Sequence, residues 1–218
     1  MKFPNAANGI KKIFTAEILS LIAAIASVIG LIMAISTVAA AFSESAAGTV
    51  VSFGGMAIFM LASGVLSIIA FIMNIIGIKN AAKDEPAFQT ALIFVIIGIA
   101  ASVLGSVLSS ASPTVSGIAT TVSNLMSLFV TIYIIQGIIN LADKLNRGDI
   151  SAKGSNLFKI IIVIYALSLI ANVIVVFMGG YAASIIAVII SIVAAVLSIV
   201  QLILYISLLS QAKKMLAE

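Results

Sequence analysis

The chain has 218 residues, of which 63% are hydrophobic and 8% charged, and its formal net charge is +4. Soluble domains are about half apolar, so this composition excludes that class and predicts a protein of the lipid bilayer. The sequence contains neither histidine nor cysteine, which excludes Cys–His and Ser–His nucleophile pairs and the imidazole and thiolate ligands of common metal sites.

Six apolar segments follow one another along the chain, each long enough to cross a hydrocarbon core of about 30 Å as a helix. Each segment is one continuous apolar run, which favours helices over the alternating strands of a membrane barrel. They cover residues 13–41, 54–78, 86–110, 117–141, 157–178 and 182–210. We therefore predict an all-α, polytopic integral membrane protein, a single transmembrane domain over 1–218 in which short connections pair the helices as three antiparallel hairpins.

The first segment has an alternative interpretation as a cleaved signal peptide. Lysines precede it, and small residues at 39–41 loosely fit a cleavage site. Its apolar run, however, is about 29 residues long, whereas the apolar region of a signal peptide has about 7 to 15. We interpret the segment as a transmembrane helix.

The basic residues indicate which side of the membrane each connection occupies. All eleven flank the segments on one side, whereas the loops of the other side contain a single charge, Glu44. Positive residues beside transmembrane helices stay in the cytoplasm, so we expect both termini and the turn before Pro86 to be cytoplasmic, in the plasma membrane. In that turn Asp84 or Glu85 is expected to cap the helix that Pro86 begins. The net charge then favours anionic lipids, not nucleic acid.

Internal similarity suggests that the hairpins are repeats, covering 10–83, 86–148 and 156–218. An offset of 75 residues relates Gly30 to Gly105, and an offset of 60 relates Gly77 to Gly137. Because Ala, Ser, Ile and Val dominate this chain, chance matches are frequent, and the repeat remains a hypothesis.

Small residues recur at heptad spacing within the helices, and Ala23, Ser27 and Gly30 exemplify the pattern. Such a stripe allows close helix packing in lipid, which offers no hydrophobic contrast between helices. We expect these three residues to face other helices while Ile29 and Ile32 face lipid. The period of 3.5 residues predicts a left-handed bundle with crossing angles near +20°.

Glu17 is the acidic residue that the sequence places within an apolar segment. An intramembrane carboxylate can bind a cation or relay protons. The structural interpretation, which we favour, is a carboxylate at the cytoplasmic interface that pairs with Lys11, Lys12 or Lys83.

Amide side chains form a second candidate set within the segments. With Glu17, these residues could line a polar interior site; they are Asn74, Asn124, Gln136, Asn140, Asn172 and Gln201. Interhelical hydrogen bonds explain the same residues without a ligand, each at about 1 kcal/mol or less.

The tripeptide Arg147–Gly148–Asp149 matches an adhesion motif, but we interpret the match as a coincidence because its predicted location is cytoplasmic. Gly148 is interpreted as the residue that ends a helix. The glycine pairs at 54–55 and 179–180 are interpreted as outer turns.

We expect a non-enzymatic membrane protein without cofactor or metal, an accessory or interaction subunit of a membrane complex. Beyond the bilayer, its expected partners are another membrane protein or a second copy. The alternative is a small-solute or ion transporter that uses Glu17 and the amide set. An enzyme acting on lipid has the least support.

Overall fold

The computed structural model describes residues 2–42, 46–109, 112–178 and 180–217. These residues form six α-helices, each long and apolar enough to cross a membrane. Their bounds are α1 Pro4–Phe42, α2 Ala46–Ala81, α3 Pro86–Leu108, α4 Pro113–Lys144, α5 Gly148–Met178 and α6 Gly180–Ala217. The predictions of an all-α chain and of a multi-pass membrane protein are confirmed.

Several helices extend beyond the apolar segments that predicted them. α1 begins at Pro4 instead of residue 13, and α5 begins at Gly148 instead of residue 157. Hydropathy marks only the part of a helix that is apolar enough for hydrocarbon. The backbone continues its own hydrogen bonds through polar residues as long as no helix breaker intervenes.

The expected outer loop between the first two segments is largely helical. α1 continues to Phe42 and α2 begins at Ala46, so Gly54 and Gly55 lie inside α2. The interpretation of this glycine pair as a turn is therefore wrong. A Cβ on Gly55 would lie 2.5 Å from the Met33 side chain, so glycine here makes room for a neighbouring helix.

The connection between α4 and α5 also differs from its prediction. Asn146, with a φ of 56°, adopts the left-handed conformation after α4, and the Arg147 N–H donates to the Ala142 carbonyl at 2.8 Å. This arrangement is a Schellman C-terminus, which asparagine can form in place of glycine. Gly148 does not stop α4 but begins α5. Arg147 and Asp149 form an ion pair with each other at 3.1 Å.

The chain divides into two compact units, Lys11–Gly77 and a second unit of Met1–Ile10 with Ile78–Glu218. In the first unit Ala23 and Gly30 are buried and Ser27 is exposed. A Cβ on Gly30 would lie 3.5 Å from Met60 Cγ.

In the second unit α3 packs along α4, α5 packs along α6, and α4 also contacts α5 and α6. Large buried side chains cluster at the beginning of α3 and α5 and the end of α4 and α6. They include Phe88, Ile134, Ile135, Ile138, Leu141, Ile150, Leu157, Ile161 and Leu208. Farther along α3 the buried residues are small, namely Ala101 and Gly105. The bulky core therefore lies at one end of this unit.

Candidate functional site

Glu85 is a buried carboxylate in the turn between α2 and α3. It occupies the N-cap position of α3, directly before Pro86 in the first turn, but its side chain does not cap that helix. Instead it accepts hydrogen bonds from Asn140 Nδ2 at 2.7 Å and Lys144 Nζ at 2.6 Å, both on α4. The expected capping by this side chain is therefore wrong, because both carboxylate oxygens accept from side chains of α4 instead.

The charge state of Glu85 follows from these contacts. Its side chain is 4% exposed, whereas that of Lys144 is 49% exposed. Burial acts to raise the pKa of the Glu85 carboxyl, but the hydrogen bonds from Lys144 and Asn140 and the lysine charge together lower the pKa below its ordinary value. Glu85 is consequently ionised at neutral pH.

Gln136 extends this network by one turn of α4. Its Nε2 donates to Asn140 Oδ1 at 2.9 Å, so Gln136, Asn140 and Glu85 form one hydrogen-bonded chain. The Lys144 ammonium also lies 5.9 Å from the centre of the Phe3 ring. The structure thus brings together Gln136 and Asn140, two amides that were predicted as site residues. They join the ion pair between Glu85 and Lys144, which the sequence did not indicate.

Asp84, the neighbour of Glu85, holds a different helix. Its carboxylate accepts from Asn5 Nδ2 at 2.9 Å and from the Ala6 N–H at 2.8 Å. Ala6 lies in the first turn of α1, where backbone N–H groups lack helical partners. Asp84 therefore caps α1 from 78 residues away in the sequence, a long-range contact that local capping patterns could not reveal.

Glu17 and Asn74 meet in the first unit. Asn74 Nδ2 donates to Glu17 Oε1 at 3.3 Å, and both residues are half-buried. The Asn74 Oδ1 atom is buried and has no hydrogen-bond partner among the described residues. Neither Lys11 nor Lys12 forms an ion pair with Glu17, so the expected pairing with these two lysines is wrong. Both lysines precede Glu17 on the same helix, and its carboxylate lies against α2 instead.

The structure describes the side chain of Gln201 but not that of Asn172. Gln201 is half-buried on α6, one turn before the buried Tyr205. Asn172 lies outside the residues whose side chains are described.

A polar cleft of about 490 Å³ lies between α3 and α4. Among the described residues, its lining carries hydroxyl, amide or glycine groups, from Ser102, Gly105, Ser106, Ser109, Ser116, Thr120, Ser123 and Asn124. The Oγ atoms of Ser102 and Ser123 are 2.7 Å apart across the two helices. The sequence analysis interpreted small residues as stripes for helix packing and did not predict this cleft. The signal that could have indicated it is the recurrence of small polar residues every three or four positions on both α3 and α4.

Closer to Glu85, bulky side chains fill the contact between the same two helices. A Cβ on Gly98 would lie 3.2 Å from Met126 Cβ. The Phe94 ring stacks on Phe129 and Tyr133, with centroid distances of 5.0 and 5.4 Å. The polar cleft is thus separated from the Glu85 network by an apolar layer.

No family model, curated protein or solved structure shows a significant match to this chain. The site geometry alone therefore supports the functional proposals.

Proposed function

We propose that this protein is a non-enzymatic subunit of a membrane complex that binds a transmembrane helix of another membrane protein in the α3–α4 cleft. The observation that carries the proposal is the cleft itself, a concave surface lined by hydroxyl and amide groups between two membrane-spanning helices. Small residues let a third helix approach closely, and polar side chains add interhelical hydrogen bonds.

The depth of the cleft supports a partner within the membrane. Ser102 lies about 24 Å along α3 from Pro86 by the helical rise of 1.5 Å per residue. A hydrocarbon core is about 30 Å thick, so the cleft starts inside the hydrocarbon at Ser102 when α3 enters near Pro86, and it reaches the far headgroup layer at Ser109, about 35 Å along the helix. At the Ser102 end, lipid tails cannot hydrogen-bond to the hydroxyl oxygens.

The hydrogen bonds within the cleft define the chemistry of the partner. Ser106 Oγ donates to the Ser102 carbonyl and Thr120 Oγ1 donates to the Ser116 carbonyl, both at 2.9 Å. A hydroxyl has one proton and two lone pairs, so these groups present acceptors to a ligand. The expected partner helix carries a small-residue face with a donor such as Ser, Thr, Asn or Gln.

Close approach of α3 and α4 beside the cleft leaves little room for rearrangement. A Cβ on Gly105 would lie 3.1 Å from Ala119 Cβ. The two helices therefore have little room to move closer at this level, because even one methyl group on Gly105 would press against Ala119. A partner helix fills the space without displacing a residue of this chain.

The test is purification from native membranes in mild detergent, followed by mass spectrometry of copurifying proteins. Ser106→Phe fills the cleft, whereas the control Val107→Phe adds the same ring to the adjacent residue, which is 68% exposed. We expect a stoichiometric membrane protein with the wild type and the control, and its loss with Ser106→Phe.

Three outcomes contradict the proposal. The first is a partner that is retained with Ser106→Phe, and the second is a chain that purifies alone as a monomer. A dimer of this chain that Ser106→Phe dissociates contradicts the proposed partner and assigns the cleft to self-association.

The proposed orientation places both termini in the cytoplasm of a plasma-membrane protein, with three antiparallel hairpins in a left-handed bundle. Its support is the restriction of basic residues to one side of the segments, which matches the positive-inside bias. The transport alternative has one favouring observation, the contact between Glu17 and Asn74.

A further inference from the structure

Glu17 brings an acidic group into an apolar helix without a charged partner in its own unit. Between Lys11 and Phe42 the ionisable residues of α1 are Lys11, Lys12 and Glu17, and α2 has none between Ala46 and Gly77. Neither lysine pairs with the carboxylate. An ionised carboxylate in this position is costly unless a counter-charge or several hydrogen bonds stabilise it.

Asn74 provides only weak compensation as it stands. Its Nδ2 lies 3.3 Å from Glu17 Oε1, longer than the roughly 2.7–2.9 Å of a charge-assisted hydrogen bond. The other end of the amide, Oδ1, is buried without a donor among the described residues. Glu17 Oε1 therefore has one long hydrogen bond and no positive partner in its own unit, while Asn74 Oδ1 has no donor among the described residues.

We propose that Glu17 and Asn74 form a binding site for one small cation, either a monovalent metal ion such as Na⁺ or a proton. One cation neutralises the carboxylate and, once the Asn74 amide turns its oxygen toward Glu17, gives that oxygen a partner. The site lies between α1 and α2 and is separate from the α3–α4 cleft of the proposed function.

The geometry accommodates both forms of the cation. Rotating the Asn74 amide by half a turn exchanges Oδ1 with Nδ2 and leaves an oxygen near 3.3 Å from Glu17 Oε1. Two oxygens at that spacing subtend roughly 90° at an ion about 2.4 Å from each, a distance typical of oxygen ligands to hard cations. A protonated Glu17 instead donates its O–H to the same amide oxygen, which makes a neutral hydrogen-bonded pair.

The first measurement is thermal unfolding of the full chain in detergent as NaCl replaces choline chloride at constant ionic strength. A bound ion stabilises the folded state by mass action, so we expect a saturable rise in Tm if the cation is Na⁺. Glu17→Gln and Asn74→Leu are expected to lose it. The exposed acid Asp143 provides the control, and Asp143→Asn keeps the response.

The second measurement is infrared difference spectroscopy at neutral pH, which detects the carbonyl band of a protonated carboxylic acid. If the cation is a proton, we expect this band in the wild type and in Asp143→Asn and its loss in Glu17→Gln. Asn74→Leu retains the carboxyl and should shift the band, because the hydrogen bond to the amide is lost.

Either response, with its dependence on Glu17 and Asn74, supports the site and identifies its cation. An ionised Glu17 together with a Tm that is indifferent to Na⁺ overturns the proposal. A Na⁺ response that persists in both Glu17→Gln and Asn74→Leu overturns it as well. Should Glu17→Gln fail to fold, Asn74→Leu alone decides, because it leaves the carboxylate in place.

Discussion

Glu85 is the residue whose side chain links the start of α3 to the last turns of α4. Replacing it with alanine leaves the Asn140 amide and the Lys144 ammonium without their acceptor. Because Lys144 is half exposed to its surroundings, we expect a modest loss of about 1–2 kcal/mol in the free energy of unfolding. Unfolding in mixed micelles measures it, and Asp143→Ala, which alters an exposed acid, should change stability by less than about 0.5 kcal/mol.

The pH dependence of this contribution has a definite sign. The folded-state pKa of Glu85 is lowered from its ordinary value of 4.5, so its stabilising effect is fully present above that value. It is lost as the pH falls through the lowered pKa, because the unfolded chain takes up the proton first. The difference between wild type and Glu85→Ala should therefore shrink below about pH 4.5; a difference that grows on acidification contradicts this assignment.

Gly137 is a residue whose missing side chain is required by packing. A Cβ at this position would lie 2.5 Å from the buried Phe88 ring, so Gly137→Ala should cost about 1–3 kcal/mol through overpacking. Gly117→Ala is the matched control on the same helix, since its Cβ would meet nothing within 4 Å. Helix propensity should make that change neutral or stabilising by up to about 1 kcal/mol. Equal effects of the two substitutions in thermal unfolding would refute the packing account.

At the scale of helices, α1 depends on a cap supplied by a distant turn. Asp84 accepts from the side chain of Asn5 and the backbone of Ala6. We expect Asp84→Ala to destabilise the start of α1 by about 1 kcal/mol, as loss of an N-cap does. Hydrogen exchange should therefore accelerate at residues 5–7 and remain unchanged in the last turn of α4. Unchanged exchange at residues 5–7 would show that α1 begins without this cap.

Hydropathy predicted the existence and approximate location of all six helices, because about 20 apolar residues are what a membrane crossing requires. It could not predict where the helices end. α1 begins at Pro4 and α2 at Ala46, in stretches where polar or small residues lower the hydropathy but leave the helical backbone intact. Gly148 was misread because Asn146 supplies the left-handed residue that ends α4.

The candidate sites were predictable only in part. Gln136 and Asn140 lie four residues apart, and helical periodicity places them on one face. Glu85, which accepts from Asn140, lies 55 residues away from it in the sequence, and no local pattern contains such a contact. The Asn74 contact to Glu17 has the same origin, since it depends on how two helices pack. Small residues were predicted to pack against other helices, and only the structure shows that Ser102, Ser106 and Ser109 line an open cleft.

For the whole molecule, the orientation in the membrane is open to direct measurement. We expect cysteines introduced at Lys2, Lys153 or Lys213 to be protected from an impermeant thiol reagent in intact cells and to react after permeabilisation. A cysteine at Glu44 should react without permeabilisation, because the connection between the first two apolar segments contains no basic residue. The native chain has no cysteine, which keeps the background low. Labelling at Lys2 or Lys213 in intact cells would reverse the predicted topology.

Association through the α3–α4 cleft is the central claim, and site-specific photo-crosslinking in native membranes tests it most directly. A benzophenone side chain at Thr120 projects into the cleft, whereas one at Ile118, which is 61% exposed, lies outside the lining. We predict a crosslink from Thr120 to a transmembrane segment of another protein, identified by mass spectrometry and absent from Ile118. Lipid adducts alone at Thr120, or the same protein adduct from both positions, would contradict a partner helix in the cleft.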